Sequence, residues 1–373
     1  MRIGYLAYTP MPSHKASGVN IMKMCDALAE LGHEVRLFNP RISAGVSAAE
    51  LATFYGIRDR ISLCRLPRPR NRLKGLVRYT RSYRRAMKAI RSDLLYIRDH
   101  GAKVYIPCRL RIDKVFEAHL LHVDNPHIQA LERDPALRQF VVISSALREE
   151  YDRFYPSLAS ILSVHHDGAD PGITSCEQAS LRLPLIADKL NAAYIGNLYP
   201  GKGMELIQQL LPLAEFCHFH ILGGQGEELE HWRRRCGAAE NITFDGFLSP
   251  AAVEQLRSQF DCLLAPFQTR VMGGPDTNVA QWMSPLKIFE YMASGKPIIA
   301  SDLPVIREVL ENEVNAFLCR PDNPADWAAA LRRIRNESKL SAEIAECALT
   351  RLRNHYSWHQ RAKRILQTIS IPS

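Results

Sequence analysis

Short apolar runs alternate with longer amphipathic stretches along the whole chain. A β-like run over residues 2–8 leads through a loop of small residues to a helical pattern over 19–31, which Gly32 ends. Further β-like runs, separated by helical stretches, lie at 33–38, 94–98, 114–117, 140–143 and 161–164. Repeated strand–helix–strand order predicts a parallel sheet with right-handed crossovers.

The pattern weakens over residues 168–189, which are rich in Gly, Pro and Ser, and a second alternation then begins. Its β-like runs lie at 192–195, 218–222, 242–244, 262–265, 297–300 and 315–318. We therefore predict an α/β protein with two doubly wound, Rossmann-like domains. They would span 1–170 and 190–355, with a linker at 171–189 and a C-terminal amphipathic helix within 356–373.

Composition narrows the class of protein. The 373 residues are 46% hydrophobic and 23% charged, which excludes disordered and collagen-like chains. No apolar run approaches the roughly 20 residues that span a bilayer, and the N-terminus lacks the features of a signal peptide. The nine cysteines are scattered without a CxxC pair, which favours a reducing compartment over a zinc ribbon or disulfide framework. We expect a cytoplasmic protein.

The net charge of +9 is concentrated in one segment, residues 65–91, which holds eleven Lys and Arg and no acidic residue. Apolar side chains alternate with these charges, as in segments that lie on anionic membranes. We expect this segment to face the inner side of the cell membrane and the acceptor. The basic residues assigned to that surface are Arg78, Arg81, Arg84, Arg85 and Lys88. A solvated helix face is the alternative, and nucleic-acid binding is the weakest of the three interpretations.

The most informative motif surrounds residues 284–295. Ser284 is a favourable N-cap residue, and Gly295 would end a helix of about ten residues. The amides of Leu286 and Lys287 would then be free at the helix N-terminus, where phosphate binds readily. Glu290 could accept two hydroxyl hydrogen bonds, as from a ribose. The alternative is an ordinary capped helix in which Lys287 and Glu290 form an i,i+3 ion pair.

The segment Ser-Pro-Leu-Lys-Ile-Phe-Glu-Tyr-Met-Ala resembles the signature of glycosyltransferase family 4, also called glycosyl transferases group 1, which has the GT-B fold. The family pattern is a Glu, seven residues and a second Glu. Glu290 matches the second acid, whereas Trp282 occupies the position of the first. In the family the first acid binds the donor sugar, so this departure leaves that sugar open. Asp276 could substitute for it, or could be a solvated loop residue.

Two further stretches resemble the donor side of the family's site. Lys202 matches a lysine that neutralises the donor diphosphate, and Asn197 stands where the family has an arginine. Gly223 lies in a Gly-Gly-Gln-Gly stretch that resembles the loop beneath the nucleotide. Gly246 and Phe247 resemble the strand end and loop that line the base.

The N-terminal half offers two candidates. Gly18 resembles the family's glycine-rich loop near the donor phosphates, or is a helix start that needs a small residue. His119 follows a predicted strand, where the family often directs a histidine at the donor sugar; a structural histidine is the alternative. His119, Lys202 and Glu290 are the expected catalytic residues.

The resemblance implies two domains that face a central cleft, with the C-terminal helix returning to the N-terminal domain. It also implies transfer, with retention, from a nucleotide diphosphate sugar to a hydroxyl of a saccharide or lipid-linked saccharide in surface polysaccharide or glycoconjugate biosynthesis. UDP-sugars are favoured over GDP-sugars. No Asp-x-Asp occurs, so we expect no metal and no other cofactor. A nucleotide-sugar 2-epimerase and a non-catalytic nucleotide- or lipid-binding subunit remain alternatives.

Overall fold

The computed structural model describes residues 1–13, 15–65, 91–98, 110–172, 181–274 and 277–369. The chain divides into two compact units. The N-terminal domain comprises Met1–His166 together with Trp358–Ser373, and the C-terminal domain comprises Asp167–Ser357. Each unit has its own parallel sheet with helices, which confirms the predicted α/β class.

The N-terminal sheet has seven described strands in the order β3-β2-β1-β4-β5-β6-β7, all parallel. These strands are β1 (Arg2–Leu6), β2 (Glu34–Phe38), β3 (Ser62–Cys64), β4 (Leu94–Arg98), β5 (Asp113–Ala118), β6 (Leu137–Val142) and β7 (Leu162–Val164). The central strand β4 is buried along its whole length, as expected for a parallel strand covered on both faces.

Four described helices connect these strands: α1 (Ala16–Glu30), α2 (Ala48–Tyr55), α3 (Pro126–Glu132) and α4 (Ser145–Phe154). Three begin at side-chain caps. Ser47 accepts a hydrogen bond from the amide of Glu50, whose carboxylate accepts from the Ser47 amide, so α2 starts with a capping box. Asn125 and Ser144 cap α3 and α4.

The C-terminal sheet has six described strands in the order β10-β9-β8-β11-β14-β15, again all parallel, and β12 and β13 form a separate antiparallel hairpin. The strands are β8 (Leu190–Ile195), β9 (Cys217–Leu222), β10 (Ile242–Gly246), β11 (Cys262–Ala265), β12 (Met272–Gly274), β13 (Thr277–Asn278), β14 (Ile298–Ser301) and β15 (Phe317–Cys319). Phe219, Leu264 and Trp327 are among the buried side chains of one core cluster in this domain.

The helices of the C-terminal domain are α5 (Met204–Leu210), α6 (Gly226–Cys236), α7 (Pro250–Leu256), α8 (Leu286–Met292), α9 (Pro304–Arg307), α10 (Pro324–Asn336) and α11 (Ser338–Arg351). Short 3₁₀ turns occupy Pro156–Leu158, Leu211–Leu213 and Arg257–Gln259, and a π turn occupies Leu352–Tyr356. The last helix, α12 (Trp358–Gln367), packs against α1 and belongs to the N-terminal domain.

Every strand that the apolar pattern predicts is present at nearly the predicted position. The pattern missed β3, β12 and β13, because strands of two or three residues are too short to show a period. Among the described residues, no helix is both long and apolar enough to cross a bilayer.

Candidate functional site

The strand order of the C-terminal sheet reverses between β8 and β11, which are neighbours in the sheet although β9 and β10 separate them in sequence. Ligands of open parallel sheets bind beyond the carboxyl ends of the strands at such a reversal. Gly196 follows β8, Phe267 follows β11, and α8 supplies Lys287. Lys287 Nζ lies 5.0 Å from the centre of the Phe267 ring, and a Cβ on Gly196 would lie 3.1 Å from that ammonium. Three separate segments therefore meet at the reversal.

Two lysines converge on the Phe267 ring. Lys202 Nζ lies 5.2 Å and Lys287 Nζ 5.0 Å from the ring centre, and Lys287 Nζ also lies 3.8 Å from the centre of the Tyr194 ring. Aromatic faces attract cations at such distances without neutralising them. Within the described part of the chain, the buried Lys287 Nζ has no hydrogen-bond partner. The pair is therefore a cationic site without a counter-charge for Lys287 at bonding distance.

Burial lowers the pKa of both lysines. It lowers the pKa of Lys202 to about 8. Burial, and then the charge of Lys202, lowers the pKa of Lys287 well below its usual value, although Glu290 opposes this shift. A bound anion would offset both causes, because it stabilises the protonated form of each lysine. The arrangement is chemically suited to an anion that carries several charges.

The glycines that end β9 and β10 pack backbone against backbone beside this site. The amide of Gly223 donates to the carbonyl oxygen of Gly246 at 2.7 Å. A Cβ on Gly223 would lie only 2.0 Å from the carbonyl oxygen of Gly196, and Gly223 has a φ of +136°. Phe247, which is half-buried, directly follows Gly246. The structure thus places the predicted residues Gly223, Gly246 and Phe247 at the same edge of the sheet as the lysines.

Replacing Gly223 with alanine should destabilise the C-terminal domain more than the matched change Gly226→Ala. Both glycines have a positive φ, but a Cβ on Gly226 meets nothing within 4 Å. The control therefore costs only the backbone strain of about 1–2 kcal/mol, whereas Gly223→Ala must also displace the Gly196 carbonyl. Urea unfolding of both variants measures the difference, and equal midpoints would contradict the packing argument.

The predicted capping role of Ser284 is wrong. Helix α8 begins at Leu286 with Pro285 at the cap position, and no side chain caps it. The Ser284 hydroxyl instead accepts a hydrogen bond from the amide of Asp167 at 3.0 Å. The helix has seven residues and ends at Met292, three residues before Gly295, so it is shorter than predicted. Ser284 is buried, and its hydroxyl bonds a distant backbone amide and none in the first turn of α8.

Glu290 has a partner that the sequence did not reveal. Arg257, in the turn Arg257–Gln259, is 6% exposed, and its Nη1 lies 3.5 Å from a Glu290 carboxylate oxygen. The Glu290 side chain remains 24% exposed. Glu290 therefore forms an ion pair with a buried arginine and still reaches the surface. No motif marks Arg257, because the two residues are far apart in sequence.

Tyr291 anchors α8 to the reversal point. Its hydroxyl accepts from the amide of Ile195 at 3.0 Å and donates to the carbonyl oxygen of Leu264 at 3.2 Å. Ile195 is the last residue of β8, and Leu264 is the last but one of the neighbouring strand β11. Lys287 lies one helical turn before Tyr291, so this contact fixes the position of the lysine. Sequence reasoning read Tyr291 only as part of the motif.

Asn197 lies in the loop between β8 and α5, five residues before Lys202. Its carbonyl oxygen accepts a hydrogen bond from the hydroxyl of Tyr194 at 2.5 Å. The same tyrosine ring contacts Lys287, so Tyr194 touches both this loop and helix α8. Asn197 carries no charge, so it cannot add to the positive charge of the two lysines.

In the N-terminal domain His119 directly follows β5. Its Nε2 lies 2.5 Å from a carboxylate oxygen of Glu117, and its Nδ1 lies 3.2 Å from an Arg98 guanidinium nitrogen. Arg98 also donates to the side-chain oxygen of Asn20 at 2.8 Å. Both ring nitrogens of the predicted catalytic histidine therefore contact side chains of its own domain.

Gly18 lies in the first turn of α1. A Cβ there would lie 2.5 Å from the hydroxyl of Tyr55, which is fully buried and accepts a hydrogen bond from the amide of Ser13 at 2.9 Å. Packing against Tyr55 therefore requires a glycine at this position. The structure supports the alternative that a small residue is needed here for packing.

Some predicted residues lie outside the described part of the chain. They are Asp276 and the basic residues Arg78, Arg81, Arg84, Arg85 and Lys88.

Comparison with known proteins gives a family match for the C-terminal domain. Residues 189–337, most of the C-terminal domain, match the family model of glycosyl transferases group 1. An uncharacterized glycosyltransferase of Methanocaldococcus jannaschii is 21% identical over 245 residues, which cover 62% of this chain and 60% of that protein. The D-inositol 3-phosphate glycosyltransferase of Nocardioides is 26% identical over 233 residues, 57% of this chain and 49% of that protein. The chain thus aligns with only about half to three fifths of these relatives.

Among solved structures, Anabaena HepE in complex with UDP has the same fold. It superposes with a TM-score of 0.73 at 16% identity, covering 99% of this chain and all of that chain. The chain thus has the two-sheet GT-B fold, and its residues 189–337 match a glycosyl transferases group 1 domain.

Proposed function

We propose that the chain transfers a sugar from a nucleotide diphosphate donor, with a UDP-sugar favoured, to a hydroxyl of a saccharide or lipid-linked saccharide. The observation that carries this proposal is the pair of half-buried lysines, Lys202 and Lys287, at the strand-order reversal of the group 1 domain. A donor diphosphate is an anion that such a site would bind. The UDP complex of HepE, which shares the fold, supports a uridine donor.

In this reaction the bond between the sugar's anomeric carbon and the diphosphate oxygen breaks, and negative charge grows on the departing diphosphate. The ammonium groups of Lys202 and Lys287 would stabilise that charge in the transition state. The acceptor oxygen forms the new bond to the anomeric carbon, and its proton passes to a diphosphate oxygen. We infer that attack occurs on the face the diphosphate leaves, so that the anomeric configuration is retained.

The remaining groups would orient the donor. The Glu290 carboxylate can accept hydrogen bonds from two ribose hydroxyls, while Arg257 keeps its charge compensated. The two lysines supply positive charge where other transferases use a divalent cation, so we propose a metal-independent reaction. Nothing in the comparisons supports the 2-epimerase or the non-catalytic alternative.

A thermal-shift screen tests the donor site. UDP, GDP, ADP and their sugar conjugates are added separately in the presence of EDTA. A nucleotide that binds the folded state raises the melting temperature by mass action. We expect UDP and a UDP-sugar to do so, and Lys287→Met to abolish the increase. No increase with any nucleotide would overturn the donor site, and an increase only when Mg²⁺ replaces EDTA would overturn metal independence.

The stereochemistry can be tested without the acceptor. Slow hydrolysis of the stabilising UDP-sugar, followed by NMR, shows which anomer of the free sugar forms first. The donor's own configuration is expected, and first formation of the opposite anomer would contradict retention.

The affinity for UDP should fall as the pH rises from 7 to 9. Lys202, with its pKa at about 8, loses its proton in the free protein over this range, whereas bound diphosphate favours the protonated form. Binding above pH 8 must therefore take up a proton and weakens by up to about tenfold per pH unit. Calorimetric titrations at several pH values measure this. Lys202→Arg, which stays charged, should flatten the dependence; an unchanged slope in that variant would assign the effect to another group.

We also propose that the basic segment 65–91 holds the protein on anionic membranes, where a lipid-linked acceptor resides. The support is its eleven basic residues and the absence of acidic ones. Co-sedimentation should be stronger with vesicles containing an anionic lipid than with neutral ones, and Arg81→Glu with Arg84→Glu and Arg85→Glu should abolish the difference. Equal sedimentation with both vesicles would favour the solvated helix face.

A further inference from the structure

The contacts of His119 identify its tautomer. A guanidinium can only donate hydrogen bonds, so the Nδ1 atom that lies 3.2 Å from Arg98 must accept one and carries no proton. The Nε2 atom lies 2.5 Å from a carboxylate oxygen of Glu117, which can only accept. These two contacts fit the tautomer that carries its proton on Nε2 and leaves Nδ1 as an acceptor.

This tautomer depends on an ionised Glu117, and Glu117 is fully buried. A buried carboxylate is costly unless a cation and hydrogen bonds compensate it. Arg361 Nη1 lies 3.1 Å from the second carboxylate oxygen, and the hydroxyl of Tyr96 also donates to that oxygen. Burial opposes ionisation, but the charge of Arg361, and then His119, hold the pKa of Glu117 well below its usual value.

Arg361 comes from α12, and its side chain is only 2% exposed. Its Nε donates to the carbonyl oxygen of His166 at 2.8 Å, and its Nη2 donates to that of His165 at 3.2 Å. The guanidinium is thus fixed on both sides, by the backbone that follows β7 and by Glu117. The last helix of the chain delivers the counter-charge for a carboxylate 244 residues earlier in sequence.

We propose that Arg361 is a positioning residue that, through Glu117, holds His119 as the neutral imidazole with its proton on Nε2. The consequence for catalysis rests on the proposed glycosyl transfer: His119 contributes an oriented, uncharged ring and exchanges no proton with the substrate while these contacts hold. The C-terminal helix α12 then contributes, through Arg361, to the site around His119 in the N-terminal domain.

Nitrogen NMR of the full chain, with ¹⁵N-labelled histidine at pH 7, tests the proposal. His119→Gln identifies the His119 signals among the 13 histidines. The wild type should show a protonated Nε2 and an unprotonated Nδ1. Arg361→Met should shift these signals out of that pattern, because the ring becomes the nearest group that can compensate Glu117. Arg361→Lys, which keeps the charge, should retain the pattern, and so should Lys363→Met, an exposed cation on the same helix.

The double variant Glu117→Gln with Arg361→Met removes both buried charges while leaving a carbonyl oxygen for Nε2–H. It should fold and show the wild-type pattern. If Arg361→Met alone does not fold, the double variant still tests the proposal. A wild-type imidazolium or Nδ1–H ring would overturn the proposal. So would an unchanged pattern in folded Arg361→Met, or a double variant that unfolds or lacks the pattern. The NMR readout needs no donor, so it can fail or succeed independently of the proposed transfer reaction.

Discussion

Lys287→Met is expected to lower the turnover of a UDP-sugar by about 10²–10³-fold. The ammonium of this lysine lies near the rings of Tyr194 and Phe267, and Tyr291 fixes the helix that carries it, so its charge has a defined place at the reversal point. Its charge matters most when the diphosphate departs, because that is when negative charge grows. Turnover is measured by release of UDP, which needs no knowledge of the acceptor if hydrolysis is followed.

The matched control is Lys296→Met. Lys296 precedes β14, at the opposite end of the C-terminal sheet from Lys287, and lines a pocket of about 530 Å³ there. Removing this charge changes the net charge of the domain equally but leaves the reversal point intact. We expect turnover close to that of the wild type. Equal losses in both variants would mean that net charge, and not the placement of Lys287, governs the reaction.

Arg361→Met is expected to destabilise the N-terminal domain by about 3–5 kcal/mol, because it leaves the buried carboxylate of Glu117 without its main counter-charge. The variant also loses the two hydrogen bonds to the carbonyl oxygens of His165 and His166. Urea unfolding measures the loss, and hydrogen exchange should locate it in β5 and the segments bonded to Arg361.

Two controls separate charge from packing. Lys363→Met, on the exposed side of α12, should stay within about 0.5 kcal/mol of the wild type. The double variant Glu117→Gln with Arg361→Met should be more stable than Arg361→Met alone, since no unpaired charge remains buried. If the double variant were less stable than the single one, packing and backbone hydrogen bonds would account for the loss instead of the ion pair.

The lysine pair shows what local sequence could predict about the site. Lys202 follows a strand end and a glycine, and Lys287 opens the helix of a recognisable motif, so both positions can be read from nearby residues. The same kind of local evidence predicted that Ser284 caps α8, and that prediction was wrong. Its hydroxyl is taken by the amide of Asp167, 117 residues away, and no local rule anticipates such a competitor.

Gly18 illustrates a different limit. A glycine at a helix start can allow a ligand to approach closely, or can allow close packing of another side chain. The sequence looks the same in both cases. The hydroxyl of Tyr55, placed 2.5 Å from where a Cβ would be, supplies the packing reason. Only the fold brings α2 against the first turn of α1.

The sequence by itself determined the two α/β domains and the positions of their main strands along the chain. Hydrophobic periodicity is a local property, so each strand and helix can be recognised from its own residues. It also determined which segments reach the carboxyl edge of the C-terminal sheet, since parallel topology places every strand end there. Only the tertiary structure decided that Arg257 pairs with Glu290, that Tyr291 joins β8 to β11, and that Arg361 compensates Glu117. These are contacts between single side chains far apart in sequence, and their energy comes from burial, which exists only once the chain has folded.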